Sequence, residues 1–177
     1  SEMCIRDRLK GGLIAIAVSL GAMLFYIWIR FEWQFSIGAI LALFHDVLIT
    51  MGIFSLIGLE VNLSIVAAIL TIVGYSMNDT VVIFDRVREN LKKHIDLKIF
   101  DLTNLSINET LSRTIITSVT TLLALLSIFL FGGEILKGFS FAMILGVILG
   151  TYSSIFIANP ILVNLKVNYK TIVKEEN

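Results

Sequence analysis

Five long apolar blocks dominate the sequence, and each is long enough to cross a membrane as a helix. They cover residues 9–29, 37–59, 63–84, 110–131 and 139–165. The hydrocarbon core of a bilayer, about 30 Å thick, takes roughly 20 apolar residues per helix, whereas a soluble helix keeps one polar face. Charged residues are only 16% of the chain, against about 25% in an ordinary soluble domain. The sequence therefore predicts an all-α membrane protein, a bundle of five transmembrane helices.

The third block contains a carboxylate, Asp79, with the apolar residues 81–84 between it and the next charge, Asp85. A carboxylate at that depth costs at least ~2.5–3.5 kcal/mol on insertion scales, and it is tolerated where it faces a bundle interior or a wet cavity. Asp79 is therefore the first candidate for a proton or ion pathway.

A second carboxylate, Asp46, lies beside His45 in the middle of the second block. The turn between blocks two and three is only residues 60–62, so the two helices are predicted to be antiparallel neighbours. Counting 1.5 Å per residue from that turn places Asp46 and Asp79 about 7–8 Å apart in depth. Two interpretations of Asp46 remain open: a member of the proton pathway, or a side chain hydrogen-bonded to a neighbouring helix. We interpret His45 as structural.

The fourth block begins with Arg113 near the end that faces Asp79. Both charges lie four or five residues inside the same membrane boundary, which predicts a charge pair; alternatively, Arg113 extends to the interface. Four hydroxyl side chains follow at offsets of 0, 3, 4 and 7 and so share one helix face: Thr114, Thr117, Ser118 and Thr121. They can hydrogen-bond across to another helix or back to their own carbonyls.

Basic residues predict the orientation of the bundle. Of the 14 Lys and Arg side chains, ten fall on the side of the 30–36 connection, the loop at 85–109 and the tail at 166–177, and four on the opposite side. The positive-inside rule makes the richer side, with the C-terminus, cytoplasmic. Within the loop, residues 95–105 are predicted to lie against the bilayer surface. Ser106 and Glu109 match a capping box that would start a helix near Ile107, although a polar loop without a cap is the alternative.

The first eight residues differ from the rest. They open without Met and hold four charges, Glu2, Arg6, Asp7 and Arg8, and they lack the pattern of a signal peptide. We expect a non-native or disordered N-terminus, with a native juxtamembrane segment as the alternative.

Several function classes are disfavoured by composition. The lone Cys4 excludes an internal disulfide framework, and a net charge of zero argues against nucleic acid as a partner. The sequence shows no Ser/His/Asp set, metal-ligand cluster or phosphate-binding loop. We therefore expect no enzyme and no cofactor, with protons as the coupling ion.

One stretch carries a specific family resemblance. Residues 74–89, GYSMNDTVVIFDRVRE, resemble the signature of the SecF family of protein-export membrane subunits. The residues that carry the motif are Gly74, Tyr75, Ser76, Asn78, Asp79, Phe84, Asp85, Arg86, Arg88 and Glu89. Residues 106–114 and 131–133 are also similar, and the resemblance covers about 9–165. The sister family SecD usually has an Asp-Ala-Asn type sequence where this chain has Asn78-Asp79-Thr80, which favours SecF.

The resemblance implies an accessory subunit of the Sec translocase in the bacterial inner membrane. Its partners would be SecD, the SecYEG channel, YajC, preproteins in transit and membrane lipid, and it would use the proton motive force to assist export. The implied fold is related to the transmembrane half of resistance-nodulation-division transporters. The family has six spans with an extracytoplasmic domain after the first, and this chain resembles the last five.

The resemblance also implies a site. The family's proton path carries over to Asp79 and Arg113, and Asp46 is placed with them. Nearby polar side chains would support the path: Asn78, Thr80, Thr114, Thr117, Ser118 and Thr121. Two alternatives stay open, a non-conducting scaffold for SecD and SecYEG, and half of a proton-coupled small-molecule transporter. The resemblance leaves open whether the parent protein is separate from SecD or fused to it.

Overall fold

The computed structural model describes residues 2–60 and 62–173 as seven helices, with no strand in those ranges. The helices are α1 (Glu2–Arg30), α2 (Trp33–Ile57), α3 (Leu63–Lys93), α4 (Ile99–Phe131), α5 (Glu134–Phe156), α6 (Ala158–Asn164) and α7 (Tyr169–Val173). Four single helices and the α5–α6 pair, Glu134–Asn164, are long and apolar enough to cross a membrane. The predicted all-α fold with five apolar spans is confirmed.

The predicted loop at 85–109 is mostly helix. Because Ile83, Val87 and Leu91 continue one buried apolar face at four-residue spacing, α3 extends past the apolar block to Lys93. Helix α4 already begins at Ile99. The expected loop is therefore reduced to residues 94–98, and a helical hairpin extends beyond the apolar spans.

The predicted capping box is wrong. Ser106 lies buried within α4, where its Oγ donates to the Leu102 carbonyl at 2.8 Å and accepts from Asn90 Nδ2 at 2.9 Å. The Glu109 carboxylate accepts from Asn90 Nδ2 at 2.7 Å and from Arg86 Nε at 2.7 Å. Within the segment expected at the bilayer surface, Leu102 is fully buried, whereas Ile95, Leu97 and Phe100 are exposed. The polar pattern that suggested a helix start instead joins α4 to α3.

The chain ends also depart from expectation. Helix α1 begins at Glu2, so residues 2–8 are helical rather than disordered. In the tail, Val167 and Ile172 are buried in the same apolar cluster as Leu91 and Leu102, so residues 166–173 pack against the hairpin. Lys174 and the rest of the predicted tail, like Val61 of the turn at 60–62 and Ser1, lie outside the described residues.

Helix α3 is the centre of the bundle and packs against α1, α2, α4, α5 and α7. Its most extensive packing is against α5, where Gly146 and Gly150 lie four residues apart on one face. A Cβ added at Gly146 would collide with the Ile72 side chain, and one at Gly150 would lie 3.1 Å from Ser76 Cβ. The GxxxG spacing thus brings two helices into close contact, as small residues do in membrane bundles.

The fifth span is interrupted just before Asn159-Pro160, where the sequence indicates a kink or the end of a helix. Helix α5 ends at Phe156 and α6 begins at Ala158. Pro160 has no N–H to donate to the Phe156 carbonyl. The side-chain amide of Asn159 donates to a different carbonyl, that of Ser154, at 2.6 Å. The predicted break is confirmed.

This packing makes a stability prediction. We expect Gly146→Ala to lower the free energy of unfolding by about 1–3 kcal/mol, because the added methyl must displace Ile72 or separate α5 from α3. Gly52→Ala is the matched control, since Gly52 lies within α2 with nothing inside 4 Å, and its effect should stay within about 1 kcal/mol. Titration with denaturing detergent measures both; equal effects would contradict the close α3–α5 contact.

Candidate functional site

Asp46 lies where α2, α3 and α5 meet. Its side chain has no exposed surface. The Oδ2 atom accepts from Ser76 Oγ at 2.6 Å and from Ser153 Oγ at 2.8 Å, while Oδ1 lies 3.1 Å from Nδ1 of His45. A buried carboxylate with all these partners is well stabilised where it stands. The geometry favours the interpretation of Asp46 as a hydrogen-bonded link between helices.

Asp79 has a different environment on the same helix. It is 4% exposed, and its Oδ2 atom is buried without a hydrogen-bond partner in the described structure. It lies three residues, about 4.5 Å along the axis, beyond Ser76, which is level with Asp46 because it binds that carboxylate. The two carboxylates are thus close to one helical turn apart, an offset of the same order as expected. Five other buried side-chain atoms of the described residues also lack a partner, including Glu32 Oε2, whose other oxygen pairs with Arg88. Each such atom calls for an explanation.

Arg113 does not form the predicted contact. No ion pair within 4.0 Å joins Arg113 to Asp79 in the described ranges. The Arg113 side chain is exposed and lines an open cleft with Asp85, Glu89 and Glu109. Its guanidinium therefore lies among other charges at the membrane boundary, which matches the alternative that the sequence left open.

The predicted hydroxyl stripe divides into two kinds of contact. Ser118 bonds across, accepting from the Tyr75 hydroxyl at 3.2 Å and lying 2.7 Å from Thr151 Oγ1, so α3, α4 and α5 are joined. Thr117 and Thr121 bond back to carbonyls of their own helix at 2.8 and 2.7 Å. Both behaviours expected of such a stripe therefore occur, and only Ser118 among these three forms an interhelical bond.

The other supporting residues are placed unevenly around Asp79. Thr80 and Thr114 are buried, and the Thr80 hydroxyl donates to the Ser76 carbonyl at 3.0 Å. Asn78, in contrast, is exposed on the outside of the bundle. The polar environment expected around Asp79 is thus only partly assembled within this chain.

Sequence reasoning missed Ser153, which binds Asp46 across 107 positions of sequence. A signal was present: Gly146, Gly150, Ser153 and Ser154 lie at offsets 0, 4, 7 and 8 and form one small-residue face of α5. Since that face packs on α3, its hydroxyl groups can reach polar partners there.

The second half of the motif builds an ionic cluster at the end of α3. Phe84, the last apolar residue before these charges, is buried in the core, with its ring centroid 5.2 Å from that of Phe35. The charges then reach two other helices and the α1–α2 junction: Asp85 pairs with Arg30 of α1 at 3.2 Å, Arg86 with Glu109 of α4 at 2.7 Å and with Glu89 of α3 at 2.9 Å, and Arg88 with the buried Glu32 of the junction at 3.1 Å. These contacts place the α1–α2 junction and the α3–α4 hairpin on one side of the bundle, as the counting of basic residues requires.

Glu109 precedes the apolar block of α4 and takes part in this cluster. Hydrogen bonds from Arg86 and then Asn90 lower the pKa of its carboxyl to about 2. Glu109 therefore remains ionised at any physiological pH. No three His, Cys, Asp or Glu side chains within 2–60 and 62–173 come together as a metal site requires.

Comparison with known proteins places this geometry in context. The family model for "Protein export membrane protein SecD/SecF, C-terminal" matches residues 6–168. The match includes Arg6, Asp7 and Arg8, which we expected to fall outside the family.

Three similar proteins illustrate the match. The chain is 55% identical over 166 residues to protein translocase subunit SecF of Rhodothermus marinus, covering 90% of this chain and 54% of that protein. It is 54% identical over 170 residues to SecF of Rickettsia rickettsii, covering 94% and 55%. A crystal structure of SecDF, a translocon-associated membrane protein from Thermus thermophilus, superposes with a TM-score of 0.85 at 47% identity, covering 88% of this chain and 22% of that one. The chain spans about half the length of the curated relatives it matches.

Proposed function

We propose a role in protein export for this chain, because it belongs to the SecD/SecF C-terminal family of protein-export membrane proteins. In this role it forms the membrane part of an accessory subunit of the Sec translocase in the bacterial inner membrane. It works with SecD beside the SecYEG channel and YajC, and it uses the proton motive force to move preproteins outward. Relatives named as translocase subunits support a transport role rather than an enzymatic one.

The observation that carries the proton role is the state of Asp79. Its Oδ2 atom is buried and accepts no hydrogen bond from the described residues, whereas Asp46, about one turn away, has three polar neighbours. Asp79 is thus the carboxyl group that can gain or lose a proton without breaking hydrogen bonds of its own.

Asp46 has a positioning role in this scheme. It holds Ser76 through a 2.6 Å hydrogen bond, and Ser76 lies one turn before Asp79 on α3. Ser76 of α3 and Ser153 of α5 both donate to Asp46 of α2. This shared contact fixes the rotation of α3 about its axis, and so the direction of the Asp79 side chain. The fixed carboxylate orients the helix, and the unpartnered one carries the proton.

The exposure of Asn78, next to Asp79 within an apolar span, supports contact with a helix of a partner protein. Polar side chains in membrane helices usually face another helix or a water-filled cavity. A crystal structure of SecDF with the same fold in its membrane region suggests SecD as the protein that covers this face.

The proposal is tested with inverted membrane vesicles from cells deficient in SecF. Vesicles supplied with the full-length parent protein should translocate a preprotein faster when a proton gradient is present than when it is collapsed. Vesicles without the parent should lose that difference. If vesicles with the parent protein translocated the preprotein at the same rate with and without the gradient, the proton role would be excluded. A role in export that does not use protons would remain.

The scaffold alternative has an observation of its own. Asp46 is fully hydrogen-bonded and Arg113 makes no contact ion pair with Asp79, an arrangement that can simply hold helices together. The vesicle assay separates the two functions, because a scaffold supports export equally in both conditions. No contact among the described residues specifically favours the small-molecule transporter alternative.

The orientation of the chain gives a further prediction. We expect the α3–α4 hairpin and the C-terminus to be cytoplasmic, because ten of the 14 basic residues lie on that side and Arg30, Arg86 and Arg88 meet there. A reporter that is active only in the cytoplasm should be active when fused after Asn177 and inactive when inserted at Gly133, between α4 and α5. The reverse pattern would overturn the orientation.

A further inference from the structure

A cavity of ≈ 430 Å³ lies at the edge of the bundle, away from Asp79. It forms where the α3–α4 connection, residues 94–98, meets the residues that follow α6. Its volume lies in the range of about 300–1,000 Å³ that is typical of small-ligand sites. The chemistry of its lining decides what it can hold.

The lining is basic. Lys98, Lys166 and His94 line the cavity, and none of its lining residues is Asp or Glu. Neither lysine forms an ion pair within 4.0 Å in the part of the chain that the structure describes. The two ammonium groups therefore favour an anion.

Lys166 is held in a backbone conformation that does not suit it. Its φ is 52°, the only positive φ of a non-glycine residue in the described ranges. It ends α6 in a Schellman motif, in which Val167 N donates to the Leu162 carbonyl at 3.3 Å and Lys166 N to the Val163 carbonyl at 3.1 Å. Glycine is the usual residue at this position. A lysine there, with its side chain at a cavity, indicates that the ammonium group has a use.

The rim of the cavity is apolar. Ile95, Leu97 and Phe100 are exposed large side chains, and they lie in the α3–α4 connection and the first turn of α4, at the tip of the helical hairpin. A free phosphate would use the lysines and leave this rim in water. A molecule with an anionic headgroup and hydrocarbon chains satisfies both parts of the lining.

We propose that this cavity binds an anionic phospholipid. The lysines Lys98 and Lys166 hold its phosphate, and its acyl chains lie along Leu97 and Phe100. The lipid thereby joins the α3–α4 connection to the C-terminal residues that pack beside it. The inference does not depend on the proton role of Asp79.

The test measures lipid-dependent thermal stability of the purified full-length parent protein in a neutral detergent. Added phosphatidylglycerol should raise the unfolding midpoint in a saturable manner, and phosphatidylcholine should not. Lys98→Gln and Lys166→Gly should each weaken the apparent affinity for phosphatidylglycerol about fivefold, the effect of one lysine near an anionic surface.

Two comparisons separate binding from folding. Without lipid, Lys166→Gly should unfold at the same temperature as the parent or a higher one, because glycine suits a φ of 52°. Lys170→Gln is the matched control: Lys170 is exposed on the same side but does not line the cavity. Its affinity for phosphatidylglycerol should stay within about twofold of the parent's, since this variant loses only a solvated surface charge outside the lining.

Several results would overturn the proposal. If phosphatidylcholine raised the unfolding midpoint as much as phosphatidylglycerol, the site would not require an anion. If Lys170→Gln lost as much affinity for phosphatidylglycerol as Lys98→Gln, the effect would be one of general surface charge. Full protection by inorganic phosphate would indicate a free-anion site. Saturable stabilisation by an acidic peptide, with none by phosphatidylglycerol, would assign the surface to a protein partner.

Discussion

Asp79→Asn is expected to abolish the stimulation of preprotein translocation by a proton gradient while leaving the protein folded and bound to SecD. The amide keeps the size of the side chain and removes its ability to ionise. Because Asp79 Oδ2 has no hydrogen-bond partner in the described structure, the substitution breaks no contact there. The measurement is translocation into inverted vesicles, with and without the gradient, using the full-length protein.

The structure supplies a matched control on the same helix. Asp85 lies about two turns further along α3, exposed and paired with Arg30 at 3.2 Å. Asp85→Asn makes the same chemical change at a solvent-accessible carboxylate that already has a partner. It should leave the protein folded, because an exposed ion pair contributes little to stability, and it should leave the gradient-dependent stimulation intact. Asp79→Glu should retain part of the stimulation, since it keeps an ionisable group.

These variants separate the two functions proposed for the chain. If the parent and Asp79→Asn show the same gradient-dependent stimulation, the proton does not pass through this carboxyl group and the scaffold function gains support. If Asp79→Asn loses association with SecD, the side chain has a structural role instead. Loss of stimulation with association intact is the result that the unpartnered carboxylate predicts.

The features that sequence predicted well are those fixed by hydrophobicity along the chain. Each of the five apolar blocks forms a helical span, the fifth as the α5–α6 pair, because a helix satisfies all the backbone hydrogen bonds of such a segment in lipid. The burial of Asp79 followed from its position inside one block, and the GxxxG contact of α5 from the spacing of two glycines. Each of these inferences uses only a local pattern and the thickness of a bilayer.

The features that were missed depend on rotation about helix axes and on distant partners. Counting residues placed Asp79 and Arg113 at matching depth, but depth does not determine which way each helix faces, and the contact pair does not form. Ser106 and Glu109 have the spacing of a helix cap. Their actual partners, Arg86 and Asn90 on α3, lie too far away in the sequence for a local pattern to show them. Tertiary contacts decided both outcomes.

The second large effect concerns Asp46. Asp46→Ala is expected to lower the free energy of unfolding by about 2–4 kcal/mol, because it removes the acceptor for Ser76 and Ser153 in a buried site. The loss is limited because Ser153 already lies within 3.2 Å of the Gly150 carbonyl and can bond there instead. Ser127→Ala, which removes an exposed hydroxyl that bonds only to its own helix, is the control and should change stability by less than about 0.5 kcal/mol.

A double-mutant cycle shows whether this loss comes from the link between helices. Ser153→Ala in the Asp46→Ala background should cost less than Ser153→Ala alone, because the two residues share one hydrogen bond. Additive costs would mean that the 2.8 Å contact contributes nothing to stability.

Asp46→Asn then separates orientation from proton transfer. Ser76 and Ser153 donate to the same oxygen of Asp46, and an asparagine carbonyl oxygen, with two lone pairs, can accept from both. The fold should therefore survive with a smaller loss of stability. If Asp46 only orients α3, as its three polar neighbours suggest, the folded Asp46→Asn protein should keep its gradient-dependent stimulation. Loss of that stimulation in a folded protein would place Asp46 on the proton path. Ser76, which donates to Asp46 and lies one turn from Asp79, would then be the connecting hydroxyl between two titrating carboxyl groups.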